Sequence, residues 1–227
     1  MEQKTALIVG ATGLVGRQVL RLLLSQDYYQ EIIILGRRSV DITDNRITEH
    51  IINFDELDQY KDKISANDYY ICIGTTMAEA GSEEAFYKVD FTYPYELGLI
   101  AKKDPKFEQY LLVSSLGADA ESPLLYNEVK GKIENALKEM NFRTLHIFQP
   151  SLLTGARQKH RFFEELAKIV TAILSVFVIG NKKFWAINDS DVAKSMFMIA
   201  RRQEKGTFTH RPYEMLKITH PPKDRRY

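Results

Sequence analysis

Three side chains near the middle of the chain have the types and the spacing for proton transfer. Lys130 follows Tyr126 by four residues, so the two share one face of a helix, and Ser115 precedes the tyrosine by eleven residues. A phenol with a pKa of about 10 is a weak acid or base at neutral pH, but a neighbouring ammonium or an oxidised nicotinamide favours its anion. We therefore predict that Tyr126 exchanges a proton with a carbonyl or alcohol oxygen. Ser115, or Ser114 if the loop turns differently, would hydrogen-bond that oxygen; a surface ion–dipole pair is the alternative for the tyrosine and lysine.

A glycine-rich segment has the pattern of a phosphate-binding turn. Gly10-Ala-Thr-Gly-Leu-Val-Gly16 follows an apolar run at residues 6–9 and precedes apolar residues at helical spacing, with Arg17 on the opposite face. A helix start carries unpaired N–H groups and a positive dipole end, and glycines let a pyrophosphate approach the backbone. The alternative is a turn that only packs a helix against a sheet. The predicted cofactor contacts are Gly10, Thr12, Gly13, Leu14, Val15 and Gly16.

The end of the next apolar run indicates which dinucleotide binds. In an NAD-binding unit, an acidic residue about 20 positions past the glycines binds the ribose hydroxyls. Here the run at residues 32–35 is followed by Gly36, Arg37 and Arg38, with no carboxylate. Two guanidinium groups would form charge-assisted hydrogen bonds with a 2′-phosphate. We therefore predict NADP(H), with Arg37 as the first contact; a solvated surface pair is the alternative.

Two further segments follow apolar runs and are expected to contact the cofactor. Phe54 and Asp55 come after the third run, where a carboxylate can accept a hydrogen bond from the adenine amine, although Asp55 could equally cap a helix. The fourth run ends in small residues that would let the backbone lie against ribose and phosphate. These residues are Ile73, Gly74, Thr75 and Thr76.

The predicted strands and helices that must position these residues alternate along the chain. Apolar runs occur near residues 5–9, 31–35, 48–53, 69–73, 109–113 and 144–148, mostly with helical patterns between them. Continuous apolar runs are typical of strands covered on both faces, as in parallel sheets with right-handed crossovers. We predict an α/β fold: a Rossmann-type doubly wound parallel sheet flanked by helices. Residues 1–227 form one domain, in which residues 151–220 are a small extension that supplies the substrate-side wall.

Two helices in this scheme have recognisable starts. Ser122 is expected to cap a helix with Pro123 in its first position, so that Tyr126 lies in the first turn or just after it. A short strand at residues 184–187 precedes a second helix, opened by Asp189, Ser190 or Asp191. The apolar stripe of the first helix consists of Leu125, Val129, Ile133, Leu137 and Met140.

Composition excludes several classes of function. The chain has 31 Lys and Arg against 30 Asp and Glu, and a net charge of +1 gives no general attraction to nucleic acid or an anionic membrane. The five histidines are scattered, so no metal site is predicted. Cys72 lies in an apolar run and is expected to be a buried, reduced thiol. Because the N terminus also lacks the pattern of a signal peptide, we predict a cytoplasmic location.

The most apolar stretch, residues 166–180, is too short in its uncharged part to span a bilayer. We predict a core or interface helix there. Residues 166–179 could instead line a lipophilic pocket, touch a membrane or form a dimer seam, and periodicity does not choose between these. The chain is expected to be a monomer or a homodimer.

Together these motifs resemble the short-chain dehydrogenase/reductase superfamily, and within it the Tat-interacting oxidoreductase family. Residues 73–76, 113–119, 126–132 and 148–150 carry the resemblance, which covers about residues 5–200. It implies an NADPH-binding Rossmann domain in which Tyr126 and Lys130 also contact the cofactor. Further contacts are implied for Pro150, Leu153 and Arg161.

One position departs from the pattern of that family. The family usually has Arg-Pro where this chain has Gln149-Pro150. A basic contact near the nicotinamide is therefore expected to be missing, with Arg157 and Arg161 as candidates to replace it.

The predicted function is hydride transfer by an NADP(H)-dependent oxidoreductase to or from a small carbonyl or alcohol substrate. A second interpretation is a redox-responsive protein that binds NADP(H) and a partner with little or no catalysis, which the family's association with protein partners motivates. A third is sugar-nucleotide epimerase or dehydratase chemistry, which uses the same Tyr and Lys. The short C-terminal region leaves little room for a sugar-nucleotide domain.

Overall fold

Seven parallel strands form the central sheet of the computed structural model, which describes residues 4–154 and 186–221. They are β1 (Lys4–Val9), β2 (Tyr29–Gly36), β3 (Ile47–Ile51), β4 (Asp68–Ile71), β5 (Gln109–Val113), β6 (Thr144–Phe148) and β9 (Gly206–His210). Two short strands, β7 (Leu153–Thr154) and β8 (Ile187–Asn188), pair separately. Every residue of β1, β4 and β6 is buried, as continuous apolar runs predict for strands covered on both faces.

Helices cover both faces of this sheet. The α-helices are α1 (Leu14–Leu24), α2 (Met77–Ala80), α3 (Glu83–Tyr87), α4 (Tyr93–Lys103), α5 (Leu125–Glu139), α6 (Asp189–Ala200) and α7 (Pro212–Thr219). A 3₁₀-helical segment spans Phe54–Lys63. A π-helical turn at Lys88–Thr92 joins α3 to α4, so that residues 83–103 are helical without a break.

Two apolar cores lie on opposite faces of the sheet. On one face, α1 packs against α6, with Val19 and Met196 completely buried. On the other face, α4 packs against α5, with Leu97 and Ile133 completely buried. The sheet is thus covered on both faces, and the loops at its carboxyl edge are anchored on this layer.

The strand order β3-β2-β1-β4-β5-β6-β9 reverses direction between β1 and β4. The chain proceeds from β1 outwards to β3, then returns to β4 on the other side of β1. In open α/β sheets, a crevice forms outside the carboxyl ends of the strands at this point, because the crossovers leave in opposite directions. The predicted fold class is confirmed, and the functional residues are expected at this crevice.

Two sequence-based expectations about the elements need correction. Leu124, not Ser122, precedes α5, and the Ser122 hydroxyl instead accepts the Leu124 N–H (3.2 Å) in the turn before the helix. Tyr126 still lies in the first turn. β9, an edge strand whose residues are alternately exposed, was not predicted. Within residues 151–220, α6 belongs to the core and β9 to the sheet, and the substrate-side wall stays a prediction.

Candidate active site

The backbone of the tight turn between β1 and α1 lies very close to the backbone of the loop after β4. Gly10 has a φ of +90°, and a Cβ there would lie 2.6 Å from the Cys72 carbonyl oxygen. The Gly13 N–H donates to the Gly10 carbonyl (2.9 Å), and no side chain caps the start of α1. α1 has no acidic residue in its first turn, whereas each of the six other α-helices in the described ranges has at least one. The turn therefore presents a positive helix end that can take an anionic group.

Gly16 and Arg17, at the end of the glycine-rich segment, do not lie where the sequence pattern predicted them. A Cβ on Gly16 would overlap the Gly10 carbonyl, so Gly16 lets α1 pack beneath the turn and does not line the cleft. Arg17 does line the cleft, although the helical period indicated an outward-facing side chain. Its Nε is buried without a hydrogen-bond partner among the described residues. Arg17 is a cationic candidate that sequence reasoning missed; its place directly after the last glycine was the available signal.

Arg37 and Arg38 follow β2 and are exposed at the rim of the cleft. Neither forms an ion pair with another residue of the described ranges. Two solvated guanidinium groups therefore lie at the end of β2, where an NAD-binding unit has its ribose-binding carboxylate.

Asp55 and Tyr93 border the same cleft. The Tyr93 hydroxyl donates to Asp55 Oδ1 (2.9 Å), the Lys88 ammonium lies 3.4 Å from that oxygen, and both contacts lower the pKa of Asp55, the hydrogen bond most. Asn53 caps the following 3₁₀-helical segment by accepting the Asp55 N–H (3.2 Å), so the helix-cap alternative for Asp55 is wrong. The buried Phe54 ring lies 5.3 Å from the Tyr93 ring and also lines the cleft.

The loop after β4 contributes backbone to the cleft. Ile73, Gly74 and Thr75 line it, and Thr76 does not. The Thr76 side chain is buried and accepts the Glu79 N–H (3.3 Å), which caps α2. The Thr76 hydroxyl therefore serves the helix, and the structure does not bring it into the cleft with the other predicted residues.

The two serines after β5 have different surroundings. Ser114 Oγ donates to Oε1 of the buried Glu134 (2.5 Å). Ser115 Oγ is buried without a hydrogen-bond partner in the described part of the chain, and it lies close enough to Tyr126 to lower the pKa of that phenol. Of the two hydroxyl groups, that of Ser115 is the one left for a ligand.

Tyr126 and Lys130 lie in the first two turns of α5 and both line the cleft. The Tyr126 ring packs against Phe86, with centroids 5.8 Å apart. Burial raises the pKa of Tyr126 and the Asp90 carboxylate adds to the increase, whereas Lys130 and Ser115 oppose it. The pKa is therefore above the ordinary value. The Lys130 ammonium therefore acts on the pKa of Tyr126 in the expected direction, but burial outweighs it.

Asp90 is the buried partner of Lys130, and sequence reasoning did not identify it. Its Oδ1 lies 2.6 Å from Lys130 Nζ, and the two side chains are 0% and 6% exposed. Burial acts to lower the pKa of Lys130, but the Asp90 carboxylate, with a smaller contribution from Tyr126, outweighs it and raises that pKa. Lys130 is therefore held as an ammonium ion.

Gln149, which stands where the family has an arginine, does not line the cleft. Its Nε2 donates to both carboxylate oxygens of Glu134 (2.9 and 3.0 Å), beside a small polar cavity that Arg211 also lines. Because Ser114 binds the same carboxylate, Glu134 ties the loop after β5 to the loop after β6.

The loop after β6 supplies one wall of the cleft through Pro150 and Leu153. The predictions for Arg157, Arg161 and residues 166–179 fall outside the described residues. Cys72 also lines the cleft, so it is only partly buried and not enclosed as expected; it is a free thiol, and burial raises its pKa to about 12.

These groups open into one cleft at the carboxyl edge of the sheet. Its volume is about 1630 Å³, larger than the roughly 300–1,000 Å³ of pockets for small ligands, so it suits an extended ligand. Within residues 4–154 and 186–221 there is no cluster of three His, Cys, Asp or Glu side chains suited to a metal, and no helix long and apolar enough to cross a membrane. The predicted cofactor residues that line the cleft are Gly10, Thr12, Gly13, Leu14, Val15, Arg37, Arg38, Phe54, Asp55, Ile73, Gly74, Thr75, Tyr126, Lys130, Pro150 and Leu153.

The fold recurs in solved structures of enzymes. MoeE5 in complex with UDP-glucose and NAD superposes with a TM-score of 0.70, and the match covers 91% of this chain and 75% of MoeE5. The two sequences are only 13% identical, so the similarity concerns the fold. It agrees with the predicted Rossmann-type architecture.

Sequence comparison identifies relatives. Protein HTATIP2 of Rattus norvegicus is 33% identical over 172 residues, which are 74% of this chain and 70% of the relative. This similarity confirms the resemblance described above. Protein FMP52, mitochondrial, of Debaryomyces hansenii is 35% identical over 160 residues, 68% of this chain and 69% of the relative. The profile of the NAD-dependent epimerase/dehydratase family matches residues 6–207. The chain therefore belongs to the NAD-dependent epimerase/dehydratase family.

Proposed function

We propose that the protein is an NADP(H)-dependent oxidoreductase of the short-chain dehydrogenase/reductase type, acting on a small carbonyl or alcohol. One observation carries the proposal. The cleft that exposes the acid-free start of α1 also contains Ser115, Tyr126 and Lys130. An anion site and a proton-transfer group in one cleft suit a phosphate-bearing redox cofactor beside a substrate oxygen.

The residues present fit a dinucleotide. At Gly10 a Cβ would overlap the Cys72 carbonyl, so glycine permits the turn that leaves the start of α1 open, and Arg17 Nε lacks a partner among the described residues. The turn would hold the pyrophosphate, Phe54 and Asp55 the adenine, and Lys130 the ribose. When bound, the nicotinamide supplies the hydride donor or acceptor that no side chain in the cleft provides.

The side chains of the cleft move and hold the proton. In the reductive direction, the Tyr126 hydroxyl donates its proton to the carbonyl oxygen, and the Ser115 hydroxyl donates a hydrogen bond to the same atom. Lys130, held as an ammonium, stabilises the phenolate that remains. In the oxidative direction the phenolate accepts the alcohol proton.

Arg37 and Arg38 support a preference for NADP(H). A 2′-phosphate gains charge-assisted hydrogen bonds from guanidinium groups, and no carboxylate at the end of β2 opposes it. Binding of NADPH and NADH should be compared by calorimetry. Tighter binding of NADH would contradict the preference.

The decisive experiment measures NADPH oxidation with a panel of aldehydes and ketones. Tyr126→Phe should lower turnover by about 10²–10⁴-fold while it retains NADPH binding. Tyr213→Phe is the matched control, since that tyrosine is 52% exposed on α7 and does not line the cleft. Equal turnover by wild type and Tyr126→Phe would refute the role of Tyr126. Tight NADPH binding without turnover on any substrate would favour the redox-responsive binding protein.

Sugar-nucleotide epimerase chemistry is a second candidate, which the family match and the UDP-glucose bound to MoeE5 favour. It requires the same proton transfer by Tyr126 but consumes no cofactor overall. UDP-sugars should therefore be assayed for product by chromatography. Epimerised product without net NADPH oxidation would replace the first proposal.

The cellular location, the partners and the oligomeric state of the protein are also proposals. We retain a cytoplasmic location, a small-molecule substrate, no nucleic-acid partner and a monomer or homodimer. The fungal relative is named mitochondrial, so fractionation of cells that express the tagged protein is the test. Recovery in mitochondria would overturn the cytoplasmic location.

A further inference from the structure

We infer that the corner formed by α2 and α3 is a wall of the substrate site, and that Ala85 limits the size of the substituent that fits beside Tyr126. The expected substrate is an uncharged carbonyl compound with an apolar substituent. The assignment rests on the proposed oxidoreductase function, because it names the substrate class of the same cleft.

The helical segment that begins with α3 runs alongside the start of α5. The Phe86 ring packs against the Tyr126 ring, with centroids 5.8 Å apart. One turn later on both segments, Asp90 Oδ1 lies 2.6 Å from Lys130 Nζ. The two segments therefore advance in the same direction, and the residues before Phe86 lie beyond Tyr126, on the side away from Lys130.

That side of Tyr126 is where a substrate would lie. The proposed function assigns Lys130 to the ribose of the cofactor and Tyr126 to the substrate oxygen, so the direction from lysine to tyrosine leads away from the cofactor. At the start of α4, the Tyr93 hydroxyl donates to Asp55 Oδ1 (2.9 Å), and Asp55 is assigned to the adenine. Followed backwards from α4, the helical segment thus passes the adenine, the ribose and the reacting oxygen in turn. The α2–α3 corner comes next.

This corner presents small side chains to the cleft. Glu79, Ala80 and Ala85 line it, and both alanines are half-buried. α2 contributes no buried residue, and a Cβ on Gly81 would have no atom of the described residues within 4 Å. α2 therefore does not serve to fill an apolar core. The methyl groups that it and α3 direct to the cleft leave space that larger side chains would occupy.

The chemistry of this end of the cleft favours an uncharged, apolar substituent. Residues 77–87 contain three glutamates and no lysine or arginine, so a carboxylate or phosphate on the substrate would be repelled there. Leu116 follows Ser115 directly, and its N–H donates to the Pro150 carbonyl (2.9 Å). Leu116 and Pro150 both line the cleft and add apolar surface near the catalytic serine.

The test compares wild type with Ala85→Leu in NADPH oxidation with methyl ketones from butanone to decanone. Leucine is a good helix former but fills the space beside Tyr126. For the longest ketones kcat/KM should fall by about 10–200-fold, the range for one misplaced methylene in an apolar pocket, and for butanone by less than about threefold. The affinity for NADPH should stay unchanged, since Ala85 is not assigned to the cofactor.

Two further variants make this comparison decisive. Ala136→Leu adds the same side chain at a half-buried position of α5 that does not line the cleft, and it should keep the chain-length profile of wild type. Ala85→Val should have an intermediate profile, and it replaces Ala85→Leu if that variant does not fold. Loss of the same size for every ketone, or no loss for any, would overturn the inference.

Charge is tested with keto acids that match the ketones in length. In wild type they should react with kcat/KM about tenfold lower than the ketones, because the glutamates of the corner oppose a carboxylate. A preference for keto acids, or turnover of UDP-sugars, would contradict an uncharged substrate.

Binding separates this inference from the proposed function. N-Alkylformamides carry a carbonyl that is not reduced, and calorimetry measures their affinity for the NADPH-loaded protein. Long-chain formamides should bind wild type more tightly than short ones, and Ala85→Leu should lose this preference. That result without turnover of any ketone would contradict the proposed function alone. Ketone turnover that does not depend on position 85 would contradict the inference alone, and wild type that neither binds nor turns over any of these compounds would overturn both.

Discussion

Ser114 and Ser115 are adjacent but have opposite environments, so alanine at each position should separate stability from catalysis. Ser114 Oγ donates to the Glu134 carboxylate, whereas Ser115 Oγ is buried without a partner among the described residues. The sequence alone leaves open which serine is catalytic. The structure predicts that the two variants behave reciprocally.

Ser114→Ala should lower the free energy of unfolding. A hydrogen bond to a charged group contributes about 1.5–3 kcal/mol. Gln149 still donates to both oxygens of Glu134 in the variant, so the carboxylate is not stranded, and we expect the lower part of that range, about 1.5–2 kcal/mol. For a chain of this size the melting temperature should fall by about 3–8 °C. Turnover should stay close to that of wild type.

Ser115→Ala should have the reverse profile. It removes a buried hydroxyl that forms no hydrogen bond with a described residue, so the free energy of unfolding should change by less than about 0.5 kcal/mol. Turnover should fall by about 10²–10³-fold, as when one donor to a developing oxyanion is removed. NADPH affinity should be nearly unchanged, because Ser115 is assigned to the substrate oxygen.

Urea unfolding, thermal melting and carbonyl reduction measured on one preparation of each variant test this pair. Gln149→Ala is a useful companion, because it removes the other donors to Glu134 and should resemble Ser114→Ala in stability. A destabilised Ser115→Ala with normal turnover, or a stable Ser114→Ala with lost turnover, would refute the reasoning and exchange the roles of the serines.

Substitutions elsewhere test the arginines at the rim of the cleft, the packing of α5 against the loop after β5, and the buried histidines. Replacing Arg37 and Arg38 by Gln should weaken NADPH binding by about tenfold or more without affecting NADH, as measured by calorimetry; equal loss for both would contradict a 2′-phosphate contact. Gly131→Ala should destabilise the protein to urea by about 1–3 kcal/mol, because a Cβ there would overlap the backbone of the loop after β5. Burial lowers the pKa of His146 to about 3 and of His210 to about 4. Between pH 4 and pH 6.5 the unfolded chain therefore binds more protons than the folded chain. The free energy of unfolding should be highest above this window and should fall as the pH decreases through it. His146→Phe should flatten this fall in unfolding measured from pH 7 to pH 4, and an unchanged slope would exclude the histidine as its cause.

The fold and one edge of the site were predictable because parallel topology converts local patterns into proximity. Continuous apolar runs identify buried parallel strands, and the carboxyl ends of such strands lie at one edge of the sheet. Gly10, Arg37, Gly74 and Ser115 each follow a predicted strand. Their meeting in one cleft thus follows from the fold, without any knowledge of side-chain contacts. β9 escaped prediction for the corresponding reason: its residues are alternately exposed, as at a sheet edge, and form no continuous apolar run.

Side-chain orientation was less predictable, because periodicity separates a buried face from an exposed one and does not say what the exposed face meets. Arg17 lies off the apolar stripe of α1, as its spacing indicated, but at a helix start beside the switch point that outer side is the cleft. Ser114 and Ser115 likewise differ only through Glu134, which lies on another element.

Asp90 shows why the protonation state of the site could not be predicted from the Tyr126–Lys130 spacing. The spacing specifies that a phenol and an ammonium share one face of α5, which taken alone favours the phenolate. Burial disfavours the charged phenolate of Tyr126. In addition, the Asp90 carboxylate, forty positions before Lys130 in the chain, forms an ion pair with the Lys130 ammonium at 2.6 Å. That carboxylate lies in a π-helical turn, and no residue pattern around Asp90 signals such a turn. A motif can therefore specify which groups meet, whereas the pKa of each group depends on burial and on the charges that the whole fold brings beside it.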